Sequence, residues 1–224
     1  MTWKAGTAKT IITPETPVWL AGYGWKRESD GVLHDLWVKA LALEDRTGHR
    51  AVVVTSDLMG IPRCMYESIC QKLMKRFHLD RSQVLLTFTH NHCGPRLRED
   101  LVDYYPDETA QNELVREYSD TVEAKIIETV AQAFSDLSPA RLSIGEGTAS
   151  FAVNRRNNIE SDVPELLAAG TPLKGPVDHS VPVMAVHKAK DRLVAILFGY
   201  ACHPTTLRFE KWCGDYPGFA QIAL

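Results

Sequence analysis

Two short runs of aliphatic and β-branched residues, 51–55 and 83–88, bracket a segment whose apolar side chains recur at helical spacing. Met65, Ile69, Leu73 and Phe77 fall at i, i+4 intervals, with Tyr66, Cys70 and Met74 beside them. Pro62 suits the first turn of that helix, where an N–H is not needed, and His78-Leu79-Asp80 ends it. The order strand, helix, strand predicts a right-handed crossover and a parallel strand pair. Parallel pairs belong to α/β architectures, in which helices cover the sheet. Residues 51–55 read as a central strand buried on both faces.

The rest of the chain adds to this unit. Residues 4–12 predict a first strand ended by Thr13-Pro14, and residues 36–43 another. Between them Pro17, Gly22 and Gly24, interleaved with Trp19, Tyr23 and Trp25, predict a loop folded over the core. Residues 96–109 are polar, acidic and aromatic and predict a long loop, of the kind that is usually functional or mobile. Residues 111–137 give the clearest helix. Val115, Tyr118, Val122, Ile126, Val130, Ala133 and Leu137 form one stripe, with Glu117, Glu123, Lys125 and Glu128 mostly off it and Pro139 beyond its end. Residues 140–146 suit a strand, residues 147–182 an irregular stretch, and residues 181–188 and 192–201 the two strands of a hairpin. Residues 218–224 begin a last helix that stops without a cap, the pattern of a chain cut short. No linker divides residues 1–224. The fold class is α/β: a mixed β-sheet core with flanking helices in a single domain.

A formal net charge of −3 over 224 residues gives no electrostatic reason to expect nucleic acid or an anionic membrane surface as a partner. No apolar stretch is long enough for a transmembrane segment. Residues 1–4 lack the basic-then-apolar pattern of a secretory signal, so a cytoplasmic location is the default, with secretion left open for a trimmed N-terminus. The five cysteines, Cys64, Cys70, Cys93, Cys202 and Cys213, are odd in number and lack Cys-x-x-Cys spacing, which argues against a disulfide framework. Cys93 and Cys202 adjoin histidines and read as small packing residues rather than thiolate ligands, since cysteine zinc sites use closely spaced pairs.

Chemistry concentrates at two places. Thr89-His90-Asn91-His92-Cys93-Gly94-Pro95 follows directly on the strand at 83–88. Residues two apart on an extended backbone face one side, so His90 and His92 converge on one point. Neutral imidazoles hold a metal for hydrolysis when one coordination position stays open to water. The alternative is a hydrogen-bonded histidine pair in a polar loop. Gly94-Pro95 turns the chain straight after them. Apolar residues 193–201 lead into Cys202-His203-Pro204, so His203 also follows a strand. If both strands run the same way in one sheet, the three imidazoles line one edge, where open α/β sheets place their sites. The remaining histidines, His34, His49, His78, His179 and His187, read as structural. Asn154-Arg155-Arg156-Asn157-Asn158 suits recognition of a carbonyl or another oxygen-bearing group, or else forms a solvated basic patch. Asp57 suits either a carboxylate that orients a histidine or a helix cap ahead of Pro62. Residues 214–218 suit either support for the site or the turn into the last helix. The absence of a GxSxG elbow, a P-loop and GxGxxG argues against serine α/β-hydrolases, P-loop nucleotide hydrolases and Rossmann dehydrogenases.

Taken in order, these segments resemble the neutral/alkaline non-lysosomal ceramidase family. Ala5-Gly6 leading to Thr13-Pro14, and Ala21-Gly22-Tyr23-Gly24, look like its opening strand and Gly-Tyr segment. His90-Asn91-His92-Cys93-Gly94-Pro95 is similar to its His-Thr-His-Ser-Gly-Pro motif, and Asn154-Arg155 to its Asn-Arg loop. Cys202-His203-Pro204-Thr205-Thr206 resembles the context of its second metal histidine, and Gly214-Asp215-Tyr216-Pro217-Gly218-Phe219-Ala220 its Gly-Asp-Asn-Lys-Gly-Tyr-Ala stretch. The resemblance implies the N-terminal part of a larger catalytic domain in a zinc-dependent amidase that splits N-acylsphingosine into fatty acid and sphingoid base. It implies Zn2+ ligation by His90 and His203, a hydrogen bond from His92 to the substrate carbonyl or tetrahedral intermediate, and assistance there from Arg155, with Asn154 and Arg155 facing the substrate. It also implies a glutamate and a tyrosine further along the chain to complete the zinc site. The expected partner is a ceramide-like lipid or another amide. A zinc hydrolase of a small soluble amide or ester, and an inert fragment or binding module, stay open as alternatives.

Overall fold

The computed structural model describes residues 3–224. Strand β1 (Trp3–Ile11) is followed by β2 (Gly31–Val32) and β3 (Trp37–Asp45). A tight turn at 46–49 leads into β4 (Arg50–Ser56). Helix α1 (Arg63–Phe77) crosses back to β5 (Val84–Phe88), and β4 and β5 pair in parallel from Val52 opposite Val84 to Ser56 opposite Phe88. The expected order of strand, helix and parallel strand is therefore present. His78 ends α1 in the left-handed conformation, its N–H on the Met74 carbonyl.

The long helix α2 (Thr109–Ser135) lies across β1 and β3. Along those strands alternate residues face it: Gly6, Ala8 and Thr10 on β1, and Val38, Ala40 and Ala42 on β3. The small side chains let the helix come close, and a Cβ placed on Gly6 would overlap the Ala133 carbonyl. The expected stripe of α2 is buried from Val115 to Ala133. Leu137 lies past its end, and Pro139 sits inside the next strand rather than between elements. Glu123, expected off the stripe, is buried. It accepts hydrogen bonds from Ser68 Oγ (2.5 Å), Lys72 Nζ (2.6 Å) and Arg98 Nη2 (2.7 Å), so its charge is matched inside the α1–α2 seam.

Strand β6 (Ser138–Thr148) leaves α2 and divides its pairing. Residues 138–140 pair with β1, and residues 141–148 pair with β7 (Ser180–Lys188). A short helix α3 (Val163–Ala168) interrupts the stretch expected to be irregular. β7 turns through 189–191 into β8 (Arg192–Phe198), giving the expected hairpin, but β8 stops three residues short of Ala201. β9 (Lys211–Trp212) pairs in parallel with β2, and α4 (Asp215–Ala223) closes the described chain.

The main sheet has seven strands in the order β5-β4-β3-β1-β6-β7-β8. It is mixed: β4–β5 is parallel and every other pair antiparallel. The larger core lies between the sheet and α1 with α2. A smaller one, of Ala5, Leu41, Ala140 and Val186, forms where the β6–β7–β8 portion packs on the opposite face of β1 and β3. β4 is thus not buried on both faces. Val52 and Val54 face the helices, whereas Val53 and Thr55 line a groove of about 470 Å3 against residues 193–198 of β8. No helix among the described residues is long and apolar enough to cross a membrane.

Candidate metal centre

The histidines converge, but by a different route from the one expected. β5 ends at Phe88, so His90 and His92 do not lie on extended strand. Thr89 N–H donates to Ser56 O and His90 N–H to Leu58 O, both at 3.0 Å, which carries the chain alongside the exit of β4. His90 then takes φ +60°, a conformation that costs a non-glycine residue of order 1 kcal/mol and is held by its surroundings. This turn, rather than strand alternation, brings the His90 and His92 rings to 5.5 Å between centroids.

His203 arrives differently as well. β5 and β8 are opposite edges of the sheet, and the pairing sequence makes them run in opposite senses. They do not share an edge. The pairing changes along β6, the far strands pack back over the sheet face, and the loop after β8 carries His203 to the other two. Its ring centroid lies 5.0 Å from His90 and 4.9 Å from His92, and its Nε2 is 3.1 Å from His92 Nε2.

One nitrogen from each of His90, His92 and His203 lies within 4.8 Å of the others, and among the described residues these three form the one group of His, Cys, Asp or Glu placed to hold a metal ion. Three imidazoles are a donor set that suits zinc with a further position open. His90 Nδ1 donates to the Met59 carbonyl at 2.5 Å, which places its proton there and leaves Nε2 as a lone pair. His203 Nδ1 accepts from the Arg155 guanidinium. His92 is buried; burial, then His203, His90, Arg27 and Arg155, lower its pKa from 6.5 to about 4. Burial, with Arg155 and His90, also lowers that of His203. Burial thus favours the neutral form of both rings, the form that can either bind a metal or act as a hydrogen-bond donor.

Arg155 faces the site, with Glu160 3.8 Å away on its far side. Asn154 shapes the loop: its amide donates to Pro176 O (2.9 Å), and its Oδ1 accepts from the backbone of Arg156 and Asn157. A polar cleft of about 460 Å3 runs beside Arg155 to Glu160. Cys93 is buried with its thiol toward Leu207 O, and Cys202 is half-buried, matching their reading as packing residues.

Asp57 plays neither role expected of it. It accepts from Trp37 N–H (2.9 Å) and Gln221 Nε2 (3.1 Å), tying β3 to α4, while α1 has no side-chain cap. The segment at 214–218 is the cap and first turn of α4 and also supports the site. Fully buried Asp215 accepts from Thr206 Oγ1 (2.5 Å) and Leu207 N–H (2.9 Å), pinning the loop that follows His203.

Residues 3–224 match the family described as neutral/alkaline non-lysosomal ceramidase, N-terminal. The chain belongs to this family. No curated protein matches the sequence. The fold of this ceramidase-family chain is similar to the crystal structure of neutral ceramidase from Pseudomonas aeruginosa, with a TM-score of 0.76 and 22% identity over 98% of this chain and 35% of that one. It is equally similar to a structure of ceramidase complexed with C2, at 0.76 and 22%, over 98% of this chain and 34% of that one. The chain thus spans about a third of the length of those structures.

Sequence reasoning missed Arg27 and Tyr23 as neighbours of His92 in this ceramidase-family chain. The Tyr23 ring meets His92 edge-on at 4.7 Å, and Arg27 donates to the His92 carbonyl at 2.7 Å. For Arg27 no motif gives a signal. For Tyr23 the signal was its place in the aromatic, glycine-rich segment.

Proposed function

We propose that the chain forms the N-terminal part of a zinc-dependent amidase that hydrolyses the N-acyl bond of ceramide-like lipids. The observation that carries this reading is the three-imidazole cluster beside Arg155 in a chain of the ceramidase family. His90 and His203 serve as ligands, with the remaining protein ligands supplied by residues outside 1–224. Zinc, when bound, supplies Lewis acidity toward the amide oxygen and the attacking water. His92, neutral above about pH 4, presents an N–H donor where negative charge develops on the carbonyl oxygen. Were zinc held by His203, the Arg155 guanidinium beside that ring would be placed to donate to the substrate oxygen. Asn154 holds the loop that presents Arg155 to the substrate.

The test is release of fatty acid from N-acylsphingosine by the zinc-loaded protein. His92→Gln and Arg155→Met should each lower the rate by ~10²–10³ while zinc stays bound. Unchanged rates in both variants would refute the assigned roles. One observation favours a second reading. The cleft beside Arg155 is polar, lined by Arg155, Arg156, Asn157, Asn158 and Glu160 with Ile159 the one large apolar residue, which suits a small soluble amide or ester. Turnover of short-chain N-acyl amines in preference to ceramide would select it.

A further inference from the structure

His92 carries an unusual combination of burial and missing support. A functional histidine is ordinarily oriented by a hydrogen bond at the nitrogen away from its chemistry, as His90 is by Met59 O. His92 Nδ1 is buried and has no partner among the described residues. Its ring direction must come from packing and from its backbone.

Both lead to the segment at 21–27. Gly22 has φ +108° and abuts the ring so closely that a Cβ there would overlap it. The Tyr23 ring stands edge-on to His92 at 4.7 Å. On Tyr23 lies the guanidinium of Arg27, 4.6 Å from the ring centroid. The same Arg27 donates through Nη2 to the carbonyls of Ala21 and His92. Arg27 is 6% exposed, has no ion-pair partner among the described residues and keeps an unpartnered Nε. A buried cation without a counterion is costly unless its surroundings use it. Here one side chain holds the backbone of His92 and the ring that abuts its imidazole.

We infer that Arg27 is a positioning residue for His92, acting through the His92 carbonyl and the Tyr23 ring to aim Nε2 at the centre of the histidine cluster. The inference rests on the proposed role of His92 but is read without turnover. The measurement is a long-range 1H–15N spectrum of the metal-free chain with labelled histidine, the His92 signals being assigned by their loss in His92→Gln. In Arg27→Met the His92 ring signals should shift or vanish, while those of His90 and His203 move less. Arg27→Lys, which keeps the charge and a donor, should bring them back toward their original positions, and Lys26→Met next door should leave them unchanged. Tyr23→Leu should displace the same signals, and it decides the question if Arg27→Met does not fold. In the zinc-loaded protein kcat should fall about tenfold in Arg27→Met with KM retained. His92 signals that stay in place in Arg27→Met and Tyr23→Leu overturn the inference, whatever the melting temperatures do. Failure of the zinc amidase reading would appear as absence of turnover in the protein that carries all its zinc ligands, and leaves the spectra untouched.

Discussion

His92 is where burial and charge act most strongly on a single residue. Its pKa falls from 6.5 to about 4, so between those values the unfolded chain binds a proton that the folded chain refuses. Stability rises with pH wherever the unfolded state holds more protons. The contribution is fully present above pH 6.5, is lost as pH falls toward 4, and stays constant below. Its size is about 3 kcal/mol. Urea unfolding of the metal-free protein at pH 7 and pH 4.5 should therefore show a larger loss of stability for the unaltered chain than for His92→Gln; equal losses would contradict the assigned burial. The histidines themselves were legible in the sequence, singled out by His-x-His before Gly-Pro and by a later histidine after an apolar run, and the structure brings the three together. Asp57 was not. A carboxylate between a strand and a helix looks the same whether it faces a metal site, caps a helix or, as here, binds an amide on α4.

At the scale of elements, the closest fit is that of α2 on β1. Gly6→Ala would drive a methyl into the Ala133 carbonyl and force the helix off the strand. Chemical unfolding should show a loss of about 3 kcal/mol, whereas Gly48→Ala, whose Cβ meets nothing within 4 Å, lacks that clash and should lose less despite its φ of +86°. The loop after β8 depends on one buried carboxylate. Asp215→Ala removes the acceptor for Thr206 and Leu207 and should destabilise the protein by about 2 kcal/mol. It should also weaken zinc binding about tenfold by loosening His203, measurable by competition with a chromogenic chelator. The parallel β4–β5 pair, α2 and the β7–β8 hairpin could be read from periodicity, since each buries a regular apolar face. The end of β8 and the short pieces β2, β9 and α3 could not. Their backbone hydrogen bonds form with partners far along the chain, and local pattern says nothing of those partners.

The whole molecule turns on β6. Its first residues extend the sheet under α2 and the rest carry β7 and β8 over the other face, so that the two edges of one sheet deliver histidines to one place. The sequence supported the simpler picture of two strands sharing an edge, because pairing order and sheet folding are properties of long-range contact. A ligand that binds only the folded state stabilises it by mass action, by about 2.7 kcal/mol at a hundredfold excess over Kd, and so raises the unfolding temperature. Zinc should therefore stabilise the protein against heat, and a chelator should reverse the effect. The most direct test of the account is zinc binding at equilibrium, followed by dialysis of the unaltered chain, His90→Ala and His203→Ala in parallel. The account predicts one zinc per chain, lost in each variant although both stay folded. Zinc held equally well by both variants would contradict it.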